Sequence, residues 1–122
     1  MIAPLMMSVS VVLLLCGMVA GIMMGVKQDF TLAPAHAHLN LIGGVLLFLY
    51  GLYYRVNPAA AALGLAKAQA YTHIAGAILF PIGIAIVLTK GPSAEIFPIA
   101  GSFIVLAATI MFLIVVLRTS KA

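Results

Sequence analysis

His36 and His38 stand two residues apart in His36-Ala37-His38, at the mouth of a long apolar run. An imidazole can ligate a metal or a haem iron, move a proton, or serve as a hydrogen-bonding group. The chain has 122 residues, with only three histidines, six basic and two acidic side chains. Ionisable groups at membrane depth are costly and mark function, so the pair points to a bound metal or haem.

The spacing restricts what the pair can do. Two residues along an α-helix turn through roughly 200°. The two rings therefore cannot grip one ion while both stay helical, and zinc sites on one helix use a spacing of four. The pair reads as a bridge that serves a different site on each side. Below His36 come Asn40, Gly43, Leu47, Tyr50 and Gly51, where the glycines leave room for a flat object or a close helix. Below His38 come Ile42, Val45, Leu49 and Leu52, an apolar wall. Both faces suit a porphyrin. Asn40 is a candidate to orient His36, since ligating imidazoles donate their other N–H to a neighbour; equally it can join two helices. The third histidine, in Tyr71-Thr72-His73-Ile74-Ala75-Gly76, is expected several turns deeper. An interhelical hydrogen bond is its first reading, ahead of a second metal centre or a proton path.

The elements that hold these residues follow from composition. The chain is 66% hydrophobic and 7% charged, more apolar than a soluble domain of this size can hide. A helical span needs about 20 apolar residues, which leaves room for four, at about 4–26, 35–54, 68–88 and 96–117. Residues 59–68 are expected to add a helical turn or two outside the hydrocarbon. Barrel strands are shorter and alternate, so the class is all-α: one integral membrane domain of four helices. Arg55, Lys67, Arg118 and Lys121 fall on one side, and Lys27 and Lys90 on the other. This balance places both termini in the cytoplasm and the histidine pair near the outer face, with a bacterial inner membrane as the expected location. The net charge of +4 is scattered at segment ends, with no basic stripe, which excludes nucleic acid as a partner.

Other features read as scaffold. Gly17, Gly21 and Gly25 form a small-residue stripe for close helix contact. Tyr50, Tyr53 and Tyr54 read as an interfacial belt, Pro81 as a kink, Cys16 as a buried thiol, and the seven methionines as core filler or lipid-facing side chains. Asp29 and Glu95 read as solvated loop charges. No nucleophile–base pair, paired carboxylates or phosphate loop is present, so any turnover belongs to a cofactor.

His36-Ala37-His38-Leu39, followed by Gly43 or Gly44, Gly51 and Tyr53-Tyr54-Arg55, resembles the haem-ligating helix of haem-copper oxidase catalytic subunits, in their nitric-oxide reductase and cbb-type branches. The stretch from Ala66-Lys67-Ala68 to His73-Ile74-Ala75-Gly76 resembles the start of the helix that follows. The likeness covers about residues 36–76; the first and last spans match only in being apolar. In that family the His-x-His helix holds two haems, one on each side, and the large subunit is built from three four-helix units about a pseudo-threefold axis. The resemblance implies that this chain is one such unit, that three copies rebuild the ring, and that haem b sits between neighbours with His36 of one chain and His38 of the next as axial ligands. It makes Lys27 and Lys90 candidate partners for haem propionates. It also implies a redox partner and electron transfer. The family's copper site needs three histidines on other helices, which one chain lacks; copper would require symmetry-related His73 side chains. Two further readings stand beside this one: a copper- or haem-binding assembly factor for a terminal oxidase, and a structural subunit without cofactor.

Overall fold

The computed structural model describes residues 1–120, and these are almost entirely helical. Lys121, one of the basic residues weighed for orientation, lies outside the described residues. Four helices are long and apolar enough to cross a membrane: α1 (Ile2–Lys27), α2 (Ala33–Val56), α3 (Gly64–Lys90) and α4 (Ile96–Thr119). Each extends a few residues beyond its expected apolar run, because helical hydrogen bonds continue past the hydrocarbon. A single turn, Pro58–Ala61, precedes α3, and Pro92–Ala94 form a short 3-10 turn before α4.

Local chemistry sets the joints. Gln28 closes α1 in the left-handed region (φ 52°), with its N–H on the Gly25 carbonyl and that of Asp29 on the Met24 carbonyl. Pro34 occupies the first turn of α2, where a missing N–H leaves no bond unmade. Pro58 does the same for the short turn. Gly91, at φ 93°, ends α3 in a conformation open to glycine. The α3 helix runs on through Pro81.

Neighbouring helices run antiparallel, so the described N-terminus and the end of α4 share one end of the bundle with Arg55, Lys67 and Arg118. Lys27 and Lys90 close helices at the other, loop end. The outward faces are apolar. On α1 they carry Val12, Leu15, Val19 and Ile22; on α4, Phe103, Leu106, Ile110 and Leu113, all exposed. Cys16 belongs to this outward surface rather than the core. It is exposed, contrary to the sequence expectation of a buried thiol.

The closest helix approach lies elsewhere than the glycine stripe of α1. A β-carbon on Gly83 would stand 2.7 Å from the Phe97 backbone carbonyl carbon, and one on Gly101 would stand 2.6 Å from Phe80 Cα. Thus α3 and α4 pack backbone to backbone, as small residues allow in lipid. Gly17 and Gly21 instead face side chains of α2, and nothing lies within 4 Å of Gly25. The tyrosines of α2 also depart from expectation. Tyr50 and Tyr54 are buried in the core with Met6, Leu47 and Val115, and Tyr50 stacks at a tilt on Phe112 with centroids 4.2 Å apart. Their hydroxyls find partners inside: Tyr50 donates to Thr109 Oγ1 at 3.2 Å, Tyr54 to Gln69 Oε1 at 3.0 Å, and Tyr53 pairs with Thr119 at 2.8 Å.

Gly101→Ala should destabilise the fold by about 1–3 kcal/mol through overpacking. Gly25→Ala should change stability by less than about 1 kcal/mol, in the stabilising direction. Thermal unfolding of the two variants in one detergent checks the contrast, and equal effects would contradict this packing.

Candidate functional site: the histidine pair and its surroundings

The pair sits at the start of α2, one turn past the loop. Asp29 builds that loop: its Oδ1 accepts the Thr31 hydroxyl at 2.6 Å and the Thr31 N–H at 3.1 Å. The side-chain bond, then the backbone bond, hold the exposed Asp29 carboxyl below the usual carboxylate range, so it stays charged further into acid. Asp29 is thus a solvated loop charge with a structural task. Ala33 N–H then bonds the Phe30 carbonyl, and the helix starts.

His38 and His36 face different helices, as their spacing demands. The His38 ring meets Phe80 of α3 edge-on, with centroids 5.0 Å apart. Its Nδ1 donates to the Pro34 carbonyl at 2.7 Å. That bond fixes the tautomer, since a neutral imidazole has one donor and one acceptor nitrogen. The Nε2 lone pair is left without a hydrogen bond among the described residues and is not sealed in the core. A backbone carbonyl on one nitrogen is how metal-ligating imidazoles are commonly held. Along α2 beyond His38, Val45, Leu49 and Leu52 point outward from the bundle, each between 41% and 53% exposed; the apolar wall read from the sequence is open to the surroundings, while Ile42 turns inward.

His36 lies over Gly21 of α1. A β-carbon there would stand 2.8 Å from His36 Cε1, and a β-carbon on Gly17 would collide with the Asn40 amide. The small-residue stripe therefore makes room for two polar side chains of α2, one turn apart. Asn40 does approach His36, with Nδ2 facing Nε2 at 3.4 Å, longer than an ordinary N–H hydrogen bond. His36 Nδ1 and Asn40 Oδ1 are both buried without partners. His36 is thus held loosely, with its second nitrogen unmatched. Below it, Gly43 receives Leu13 and Gly51 receives Met7 and Met6, so this face is covered by α1 of the same chain rather than by a flat object.

His36 also borders a cavity of about 520 Å³ that opens between α1 and α3 at the loop end. Leu13, Met23, Ile82 and Pro81 give it apolar walls, and Lys27 and Asp29 stand at its rim. Pockets of this size suit small organic ligands. The structure thus brings Lys27 and His36 to one cavity. Lys90 closes α3 at the same end, exposed and outside that cavity.

His73 is not several turns deeper but level with Ile42, one turn past His38. Its ring is fully buried, and Nε2 donates to the Ile42 carbonyl at 3.1 Å. The Ile42 carbonyl also receives the Leu47 N–H, five residues on. This is a π-type bond within a widened stretch, Leu39–Leu46, which a 3.6-residue period does not foresee. An inserted side chain is a known cause of such a break in the helical ladder. The wide stretch turns the helix faces beyond it: Tyr50, read below His36, stands edge-on to His73 of α3 with centroids 4.8 Å apart. Among the described residues no three His, Cys, Asp or Glu side chains converge to hold a metal ion. His36, His38 and His73 therefore do not form one ligand set within a chain.

Compared with known protein families, characterised proteins and solved structures, the chain matches none.

Nitrogen NMR of histidine-labelled protein in bilayers above the usual imidazole titration range should show His38 protonated at Nδ1 and His73 protonated at Nε2. The opposite tautomer at either ring would contradict the bonds to Pro34 and Ile42.

Proposed function

We propose that this chain is a haem-binding membrane protein, a single four-helix unit of haem-copper-oxidase type, which carries electrons through haem b held between protomers. The observation that carries this reading is the His38–Pro34 bond. It presents an oriented, unprotonated Nε2 beside outward-facing apolar side chains, the combination that an axial ligand and a porphyrin face require. His36, whose lower turns are covered by α1 but which borders the cavity between α1 and α3, would be the ligand on the other side. Its long contact to Asn40 and unmatched Nδ1 leave little to displace, since a buried unbonded nitrogen already costs about 1–3 kcal/mol.

Because the rings diverge, His36 of one chain and His38 of its neighbour would together hold one haem, and a ring of three copies would satisfy every ligand. Asn40, in long contact with His36, would orient it once it is ligated; Lys27, beside the His36 cavity, would neutralise a propionate, and Lys90, at the same end, would be the corresponding cation for the second face. A haem with two nitrogen ligands supplies one-electron transfer without opening a substrate position. The bias of Arg55, Lys67 and Arg118 over Lys27 and Lys90 supports a topology with both termini in the cytoplasm, in a bacterial inner membrane.

Protein purified with haem present should be red, with the sharp reduced α and β bands of a six-coordinate haem. His38→Ala and His36→Ala should each abolish those bands, while His73→Gln should keep them at reduced stability, lower by about 1–3 kcal/mol. A folded wild-type protein that stays colourless would return the chain to the cofactor-free reading.

A further inference from the structure

Both acidic side chains of the chain lie at one end of the bundle: Asp29 in the loop after α1, and Glu95 just before α4. Arg55, Lys67 and Arg118 stand at the opposite end, where no acidic side chain answers them. Two of these three cations meet at one place. Arg55 and Lys67, both exposed, line a cavity of about 510 Å³ between the start of α1 and the Pro58–Ala61 turn. Ile2, Pro4 and Ala62 give it apolar walls. Arg55 belongs to the last turn of α2. Lys67 belongs to the first turn of α3, where the helix dipole favours an anion over a cation. Two like charges on one cavity, without a counter-charge in the chain, favour an anion between them. From Pro4 in the cavity wall an exposed apolar face of α1 continues through Leu5, Val11 and Val12 to Leu15. That is about 16 Å of helix at ~1.5 Å per residue, the depth of one leaflet in a hydrocarbon core of about 30 Å.

We propose that this cavity binds an anionic phospholipid, with its phosphate between Arg55 and Lys67 and an acyl chain along the exposed face of α1. The planar guanidinium of Arg55 matches two phosphate oxygens at once, and the Lys67 ammonium acts as a point charge. Clustered cations at the edge of a membrane helix recognise anionic headgroups in this way. A free phosphate would use the cations alone; a phospholipid uses the cations and the apolar face together. Arg118 closes α4 at the same end but does not line the cavity, so it separates a built site from general surface charge. This inference does not depend on the haem reading.

The test is lipid retention by the full chain, released into native mass spectrometry from nanodiscs of equal parts phosphatidylglycerol and phosphatidylcholine. Wild type is expected to keep phosphatidylglycerol in preference. Arg55→Gln and Lys67→Gln should each lower that preference about fivefold, the factor carried by one cation near an anionic membrane surface. Ala62→Glu, which adds the missing carboxylate to the exposed wall and leaves both cations in place, should lower it as well. Arg118→Gln should leave it unchanged. Equal retention of the two lipids by the folded wild type would overturn the proposal. So would an Arg118→Gln loss as large as that of Arg55→Gln, which would mean surface charge alone, or displacement of the lipid by an equal concentration of inorganic phosphate.

Discussion

Each residue of a helix turns the chain by about 100°, and this rotation governs the molecule. It sends His36 toward α1 and His38 toward α3, so the two imidazoles need separate surroundings. The sequence supplies both. On α1, Gly17 and Gly21 clear space for Asn40 and His36. On the other side, Pro34 offers a carbonyl to His38 Nδ1, and Phe80 takes the ring edge-on. One ring is thereby fixed with a free nitrogen, and the other is loosely held beside a cavity. The two histidines thus sit in different surroundings.

Lipid imposes the second rule: polar groups must be answered within the bundle. The tyrosines of α2 obey it by turning inward to Thr109, Gln69 and Thr119. His73 obeys it by taking the Ile42 carbonyl, which Leu47 shares within the widened stretch. These contacts tie α2 to both α3 and α4, while Leu13, Leu14 and Met7 tie it to α1. The helix that carries the pair is therefore anchored to all three others. Its position is set by the bundle itself.

The number of spans, their approximate limits and the divergence of the histidine pair were legible in the sequence, because apolar length and helical rotation are strong, local signals. The interhelical role of His73 was legible too. The partners were harder to see. A glycine stripe reports that something comes close, without saying whether it is a backbone, as at Gly83 and Gly101, or a side chain, as at Gly17 and Gly21. Tyrosines near a helix end resemble an interfacial belt until their hydroxyl partners are known. Gln69, one turn before His73 in α3, belongs to no motif, although a buried amide four residues from a buried imidazole is a polar face that periodicity reveals. The widened stretch Leu39–Leu46 was beyond reach, since a 3.6-residue period does not foresee it and its carbonyl partner lies 31 positions away.

Rings that point to opposite sides can complete a two-nitrogen haem only across a chain boundary. Native mass spectrometry of the haem-loaded protein released from bilayers, read beside its absorption spectrum, decides whether they do. Haem should be found on oligomers alone and be lost when they dissociate. A single chain carrying one haem with a six-coordinate, two-histidine spectrum would contradict the shared-ligand arrangement.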